Sequence, residues 1–272
     1  MKHHEDNKRS NGSPRIRLLD DANSQTTILD RLASGDARVS LTFAGQGIGY
    51  LEEIVNLHAE NARAATLIEA ASETLNEMVQ ESEFVWSGLY SRGFDLLGWI
   101  QDEAARPDNR YLSSAPISMP LIFAAQVARF VALHERGLNQ AFTAGTVASS
   151  TGHSQGIMAA VLVAESSHGI VETDRFVEHV RFLMWQGLHM ANSHRMGVPA
   201  ERPLNPDSTA MAAVGRLDID TLLSVVERVN KALPSEAHVT VSLRNTRTRN
   251  VASGPPRTLE RLHEALTVIG DK

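Results

Sequence analysis

From Leu51 to about Glu81 the apolar positions Ile54, Val55, Leu57, Ala64, Leu67, Ile68, Ala71 and Leu75 recur mostly at three- and four-residue steps. That spacing predicts one long amphipathic helix or two shorter ones. Upstream, Ile28, Leu29 and Leu32 predict a short helix over Thr26 to Ala33, ended by Gly35 and Asp36. The alternation of Val39, Leu41 and Phe43 with Ser40 and Thr42 predicts a strand running into a tight glycine loop, Ala44-Gly45-Gln46-Gly47. Between Ser82 and Ser114 the pattern breaks into short helices and loops. Pro120 suits the first position of a helix from Leu121 to His134 that is apolar on nearly every face, hence buried on both sides and stopped by Gly137.

A short segment, Thr146 to Thr151, then leads into Gly152-His153-Ser154-Gln155-Gly156, and Ile157 to Glu165 resumes helical character, so this stretch reads as strand, sharp turn and helix. A further helix is predicted from Asp174 to about Ala191, and Pro199, Pro203 and Pro206 mark a linker with a boundary near residue 205. Beyond it the expected elements are a strand over Ala210 to Val214, a helix over Ile219 to Leu233, strands over Val239 to Leu243 and Asn250 to Ser253, and a helix over Leu259 to Ile269. This βαββα order lacks only a final strand to complete a ferredoxin-like unit. The chain therefore divides into a polar, disordered tail (1–25), a large α/β region (26–204) and a small ferredoxin-like region (205–272).

Composition narrows the partners more than the fold. With 42% apolar and 5% aromatic residues in 272, helices packed on sheets are favoured over an aromatic-rich sandwich, which gives an α/β class. The net charge of -6 offers no global field for a nucleic-acid backbone. The absence of cysteine removes disulfides, thiolate metal sites and thiol catalysis, and fits a cytoplasmic address. Apolar runs such as Met158 to Ala164 fall short of the roughly 20 residues that span a bilayer, so no membrane association is expected. Neither a metal-binding spacing nor a nucleotide-binding loop is visible.

The chemistry is concentrated at Ser154. A serine hydroxyl is exposed on a strained strand-to-helix turn when glycines two residues before and after leave room for the crowded backbone, and Gly152 and Gly156 hold those places. The following helix aims unpaired N–H groups at the same spot, so the backbone N–H of Gln155 can bond an oxyanion formed on an acyl carbonyl. The bland alternative is a tight turn that merely needs glycine.

Three motifs together resemble the acyl-CoA:carrier-protein transacylase family, especially the N-terminal acetyltransferase of type I fatty acid synthases of fungi and actinobacteria. Phe43-Ala44-Gly45-Gln46-Gly47 is similar to its early G-Q-G loop, Gly152 to Gly156 to its G-H-S-Q-G elbow, and Asn245 through Ser253-Gly254-Pro255-Pro256 to its small-subdomain signature. Ser118, Pro120, Leu121, Ile122, Gln126 and Ala128 also resemble the pattern before the elbow. The resemblance implies an α/β-hydrolase-like large subdomain with an inserted ferredoxin-like small one, both incomplete in this chain. It implies Ser154 as nucleophile, the amide of Gln46 as second oxyanion donor beside Gln155, His153 with Gly45, Gly47, Gly152 and Gly156 as structural motif residues, and Asn245 at the substrate. Coenzyme A thioester would be the substrate, and phosphopantetheine on an acyl carrier protein the acceptor. Other fatty acid synthase domains, of the same polypeptide or of another, and a homo-oligomeric synthase would be the partners. Malonyl-selective relatives use an arginine on the helix after the elbow, and Gln186-Gly187 aligns Gln186 with it. An amide cannot pair a malonyl carboxylate, which favours acetyl or another uncharged acyl group.

A serine nucleophile needs a general base, and eleven histidines are present. His3 and His4 fall in the tail. His58, His134, His168, His179, His238 and His263 read as solvent-facing, His153 as structural, and His189 and His194 as weak candidates. The resemblance places the catalytic histidine after the small subdomain, beyond Lys272, so the chain is expected to be a fragment that is inactive alone. Competing readings are a malonyl/palmitoyl or polyketide starter-unit transferase, a serine thioesterase or lipase, and a catalytically incomplete synthase segment.

Overall fold

A computed structural model describes residues 26–196 and 210–270. The expected tail and the boundary near residue 205 lie outside the described residues. The elements form two groups around two separate apolar cores, one drawn from residues 32–188 and one from residues 212–269.

The large group opens with α1 (Ile28–Ser34). Thr27 and Asp30 close a reciprocal capping box at its start, and Gly35, at φ 86°, ends it in the left-handed conformation that suits glycine. β1 (Val39–Phe43) follows, and the long amphipathic stretch divides into α2 (Leu51–Glu60) and α3 (Ala62–Met78). Asn61 causes the division. Its extended backbone ends α2, while its Oδ1 accepts from the Ala64 N–H at 2.8 Å and caps α3. The glycine-broken region forms α4 (Ser82–Ser87), α5 (Leu96–Gln101) and α6 (Asn109–Ser113).

The helix expected to begin at Pro120 begins five residues earlier, as α7 (Ala115–Leu133). Pro116 takes the tolerated place near the N-terminus, and Pro120 lies inside, costing a backbone hydrogen bond to the Pro116 carbonyl. Tertiary burial overrides that cost, because fifteen of the 19 residues are buried, with α3 and α10 against the helix. Length and composition would let it cross a membrane, but 83% of its apolar window is buried inside the protein, as in a core helix. Gly137, at φ 123°, kinks the chain in a π turn (His134–Leu138) instead of ending the helical run, which continues as α8 (Asn139–Thr143).

β2 (Val147–Gly152), α9 (Gly156–Glu165) and α10 (Thr173–Met196) complete this group. β2 pairs in parallel with β1 in a register that sets Thr42 opposite Thr151 and Phe43 opposite Gly152. Small residues make β2 a weak strand by propensity. Ladder pairing and the Ser149–Ser40 hydroxyl bond (2.9 Å) hold it. The two strands thus end together, and their C-terminal loops emerge side by side.

The small group has the expected βαββα order: β3 (Met211–Gly215), α11 (Ile219–Asn230), β4 (Thr240–Thr246), β5 (Arg249–Ser253) and α12 (Pro256–Gly270). Its antiparallel sheet runs β3-β5-β4, with α11 and α12 supplying Leu222, Val225, Val226, Leu259 and Leu262 to the core. The Asn230 carboxamide clasps the backbone of Val239, donating to its carbonyl at 2.8 Å and accepting from its N–H at 2.9 Å. Both groups mix helix and strand, and the fold class is α/β.

Candidate active site

The two loops at the C-terminal ends of β1 and β2 meet at Ser154. Its φ of 53° lies in the left-handed region that non-glycine residues seldom adopt, so the serine sits on a strained turn between β2 and α9. The neighbouring glycines make this turn possible. A Cβ on Gly152 would run into the backbone of Gly156 and Ile157, and one on Gly156 into the carbonyls of Phe43 and Ala44. On Gly45 it would stand 2.9 Å from the His153 carbonyl oxygen. α9 therefore starts in direct backbone contact with the end of β1, and the Gly45 loop lies against the elbow.

α9 opens with tight i→i+3 bonds: the N–H groups of Gly156, Ile157 and Met158 donate to the carbonyls of His153, Ser154 and Gln155 at 3.0–3.1 Å. These consume the first helical amides. The N–H groups of Gln155 and Gln46 take no backbone acceptor among the described residues. Two amides without a backbone acceptor, one from each loop, thus lie on the loops that meet at Ser154.

α7 braces both loops. Gln46 Nε2 donates to Ser118 Oγ at 3.3 Å, Gln155 Nε2 to the Met119 carbonyl at 2.9 Å, and Gln126 Nε2 to the Ala44 carbonyl at 2.6 Å. Sequence reasoning noticed Ser118 and Gln126 without giving them a task, and Met119 acts through its backbone, which carries no sequence signal. Tyr50 pins the far end of the glycine loop by donating to the Leu112 carbonyl at 2.8 Å, and burial pushes its phenol well above the usual range. Beyond Tyr50 a cavity of about 740 Å³ is crossed by the Arg106–Glu52 and Arg129–Glu53 ion pairs, but Ser154 does not line it.

Gln186 is exposed on α10, and the next residue, Gly187, packs so closely on α7 that a Cβ would stand 2.9 Å from the Ala115 carbonyl. Ala115 is one helical turn from Met119, where Gln155 is anchored, so one turn of α7 links the Gln186 position to the elbow. Phe182 and Met190, one turn before and after Gln186, are also exposed. The stretch therefore presents two exposed apolar side chains on either side of a neutral amide.

Asn245, on β4, comes to the elbow: its Oδ1 lies 3.4 Å from His153 Nε2, a long hydrogen bond that joins the small sheet to the large group. His153 Nε2 is thus turned toward Asn245. No described histidine hydrogen-bonds Ser154. Four rings expected to face solvent are instead partly buried, because each finds a partner. His134 donates to the His168 carbonyl at 2.9 Å and His238 to that of Leu233 at 3.0 Å. His179 stacks on Phe123, and His58 meets Glu69 at 3.3 Å. His189 stacks on Trp185, and the side chain of His194 lies outside the described residues.

The fatty acid synthase subunit beta of Schizosaccharomyces pombe is 32% identical over 249 residues, covering 86% of this chain and 12% of that protein. The Saccharomyces cerevisiae subunit is 28% identical over 260 residues, covering 90% and 12%. The chain thus spans about an eighth of the curated relatives it matches. Among solved structures, MCAT from Streptococcus pneumoniae superposes with a TM-score of 0.56 at 21% identity, covering 86% of this chain and 60% of that one. A malonyl-transacylase bound to a type II PKS acyl-carrier protein gives 0.56 at 20% identity with the same coverage. At such identities these structures establish the fold alone. The family model described as the starter unit:ACP transacylase of aflatoxin biosynthesis matches residues 41–270, from β1 through α12, and the chain belongs to that family.

Proposed function

We propose that this chain supplies the nucleophile and oxyanion donors of an acyltransferase that moves an uncharged acyl group, acetyl first among them, from coenzyme A to the phosphopantetheine thiol of an acyl carrier protein. The observation that carries the reading is Ser154 at φ 53° between β2 and α9, with the free amides of Gln46 and Gln155 on the two adjoining loops. Ser154 Oγ attacks the thioester carbonyl while its proton passes to a general base. The resulting oxyanion takes the two N–H groups, the C–S bond breaks, and coenzyme A leaves as the thiol. The carrier's thiol then attacks the acyl-serine by the same route in reverse.

The base is proposed to come from outside the described residues, since none of the described histidines reaches Ser154 and the relatives are about eightfold longer. This rests on the family likeness, as does the choice of carrier protein. Asn245 is proposed to stand beside the incoming pantetheine through its place against His153.

The neutral amide of Gln186 supports an uncharged acyl group. A malonyl carboxylate brought to that position would gain no cation from it. Labelled acetyl-CoA is expected to acylate Ser154 at least 10-fold faster than malonyl-CoA in the polypeptide carrying this chain. Gln186→Arg, which restores a bidentate partner, is expected to raise the malonyl rate about 10-fold or more, in keeping with the ~1.5–3 kcal/mol of a charged hydrogen bond. Equal labelling of the parent by both donors overturns this assignment of specificity.

A further inference from the structure

An oxyanion hole works only if both donors lie about 2.7–3.1 Å from one point, so the spacing between its amides must be held to a few tenths of an ångström. Strand pairing does not provide this. The register of β1 on β2 ends at Phe43 and Gly152, whereas Gln46 and Gln155 each lie three residues further on. The path to Gln46 also runs through Gly45 and borders Gly47, which is at φ 92°. A glycine loop of this kind is permissive unless something outside it fixes it.

α7 is that external reference. Its adjacent residues Ser118 and Met119 receive the side chains of the same two residues whose amides are proposed as the oxyanion donors, Gln46 at 3.3 Å and Gln155 at 2.9 Å. Eight residues along, about 12 Å of helix, Gln126 takes the Ala44 carbonyl at 2.6 Å and fixes the loop's other end. The helix is itself held in the core, with Ser118 only 4% exposed. We propose that Ser118, Gln126 and the Gln155 carboxamide are positioning residues that set the distance between the two oxyanion amides, with α7 as their common ruler.

Energetics separate this role from mere packing. The Oε1 atoms of Gln126 and Gln155 are buried and have no protein partner. A buried, unpaired acceptor is unfavourable, so methionine, of similar length, would pack at these positions without that cost, which offsets the bond lost by the Ala44 or Met119 carbonyl. What methionine lacks is the Nε2 donor. The two roles therefore predict opposite consequences for stability.

The proposal rests on the reading of Ser154 as the acylated residue. It is tested by single-turnover acylation with labelled acetyl-CoA, in the polypeptide carrying this chain, for Gln126→Met, Gln155→Met and Ser118→Ala. Each is expected to slow acylation at saturating donor by about 10–100-fold, below the 10²–10³-fold loss of a whole oxyanion donor. The half-saturating concentration should stay within about 2-fold, and the melting temperature should hold or rise for the methionine variants. Reaction of Ser154 with a fluorophosphonate, whose phosphoryl oxygen enters the same hole, should slow in parallel. Parent-like acylation by the variants, or a slowing matched by a lower melting temperature and weaker donor binding, overturns the ruler alone. A parent protein that forms no acyl-serine overturns the function and the ruler together.

Discussion

Ser154→Ala is expected to abolish formation of the acyl-enzyme, and Ser154→Gly to do so without loss of stability. Both outcomes follow from the position of the residue. Only the hydroxyl can carry the acyl group, so labelling from acetyl-CoA falls to background in either variant, and turnover falls by on the order of 10⁶-fold where a nucleophile of this kind is removed. The stability comparison tests the elbow itself. At φ 53° alanine bears a left-handed penalty of about 1–2 kcal/mol that glycine avoids, while glycine loses about 0.5–1 kcal/mol in chain entropy. The glycine variant is therefore expected to be the more stable of the two by about 1 kcal/mol or less in denaturant unfolding. Residual labelling that maps to another residue would remove Ser154 from the mechanism, and an alanine variant more stable than the glycine one would remove the strain.

Adding one methyl group at Gly152 or Gly156 should damage both stability and acylation. At these two positions the obstruction is backbone and cannot rotate away: Gly156 with Ile157 in one case, the Phe43 and Ala44 carbonyls in the other. Overpacking typically costs about 1–3 kcal/mol, and an immovable obstacle places these variants at the upper end. At roughly 2–4 °C per kcal/mol for a domain of this size, thermal unfolding should register a drop of several degrees. Gly156→Ala also pushes α9 off the end of β1, and so separates the two amides beside Ser154. Gly45→Ala, where the nearest atom is 2.9 Å away, should cost less. Gly47→Ala, with open space but φ 92°, should bear only backbone strain. A Gly156→Ala protein that melts and acylates like the parent would show that β1 and α9 do not meet as described.

Much of the fold was legible because its signals are local. The steps from Ile54 to Leu75 marked helix, and only the exact break at Asn61 needed the cap to be seen. The βαββα order of the small group was read correctly because each element carries its own periodicity and is separated by turn residues. The start of α7 was misplaced for a physical reason. Proline at N1 is the better local choice, but a helix buried along both sides recovers the lost bond through packing that no local rule includes. The partly buried histidines differ from expectation similarly: His134 and His179 have charged neighbours in sequence, yet the His168 carbonyl reaches the first and the Phe123 ring covers the second.

The sequence by itself determined which residues form the elbow. G-x-S-x-G and G-Q-G name the glycine positions, although the crowding that demands glycine at Gly45 and Gly156 comes from the facing loop. Only the tertiary structure decided how the two loops face each other. It brought Phe43 opposite Gly152, set Gly156 against the end of β1, swung Asn245 onto His153, and placed Ser118, Met119 and Gln126 of α7 against both loops. These contacts join segments as far apart in sequence as Phe43 and Gly156, and several end on backbone carbonyls. A carbonyl is common to every residue type, so its part in the site is fixed by where the chain goes and not by which side chain it bears.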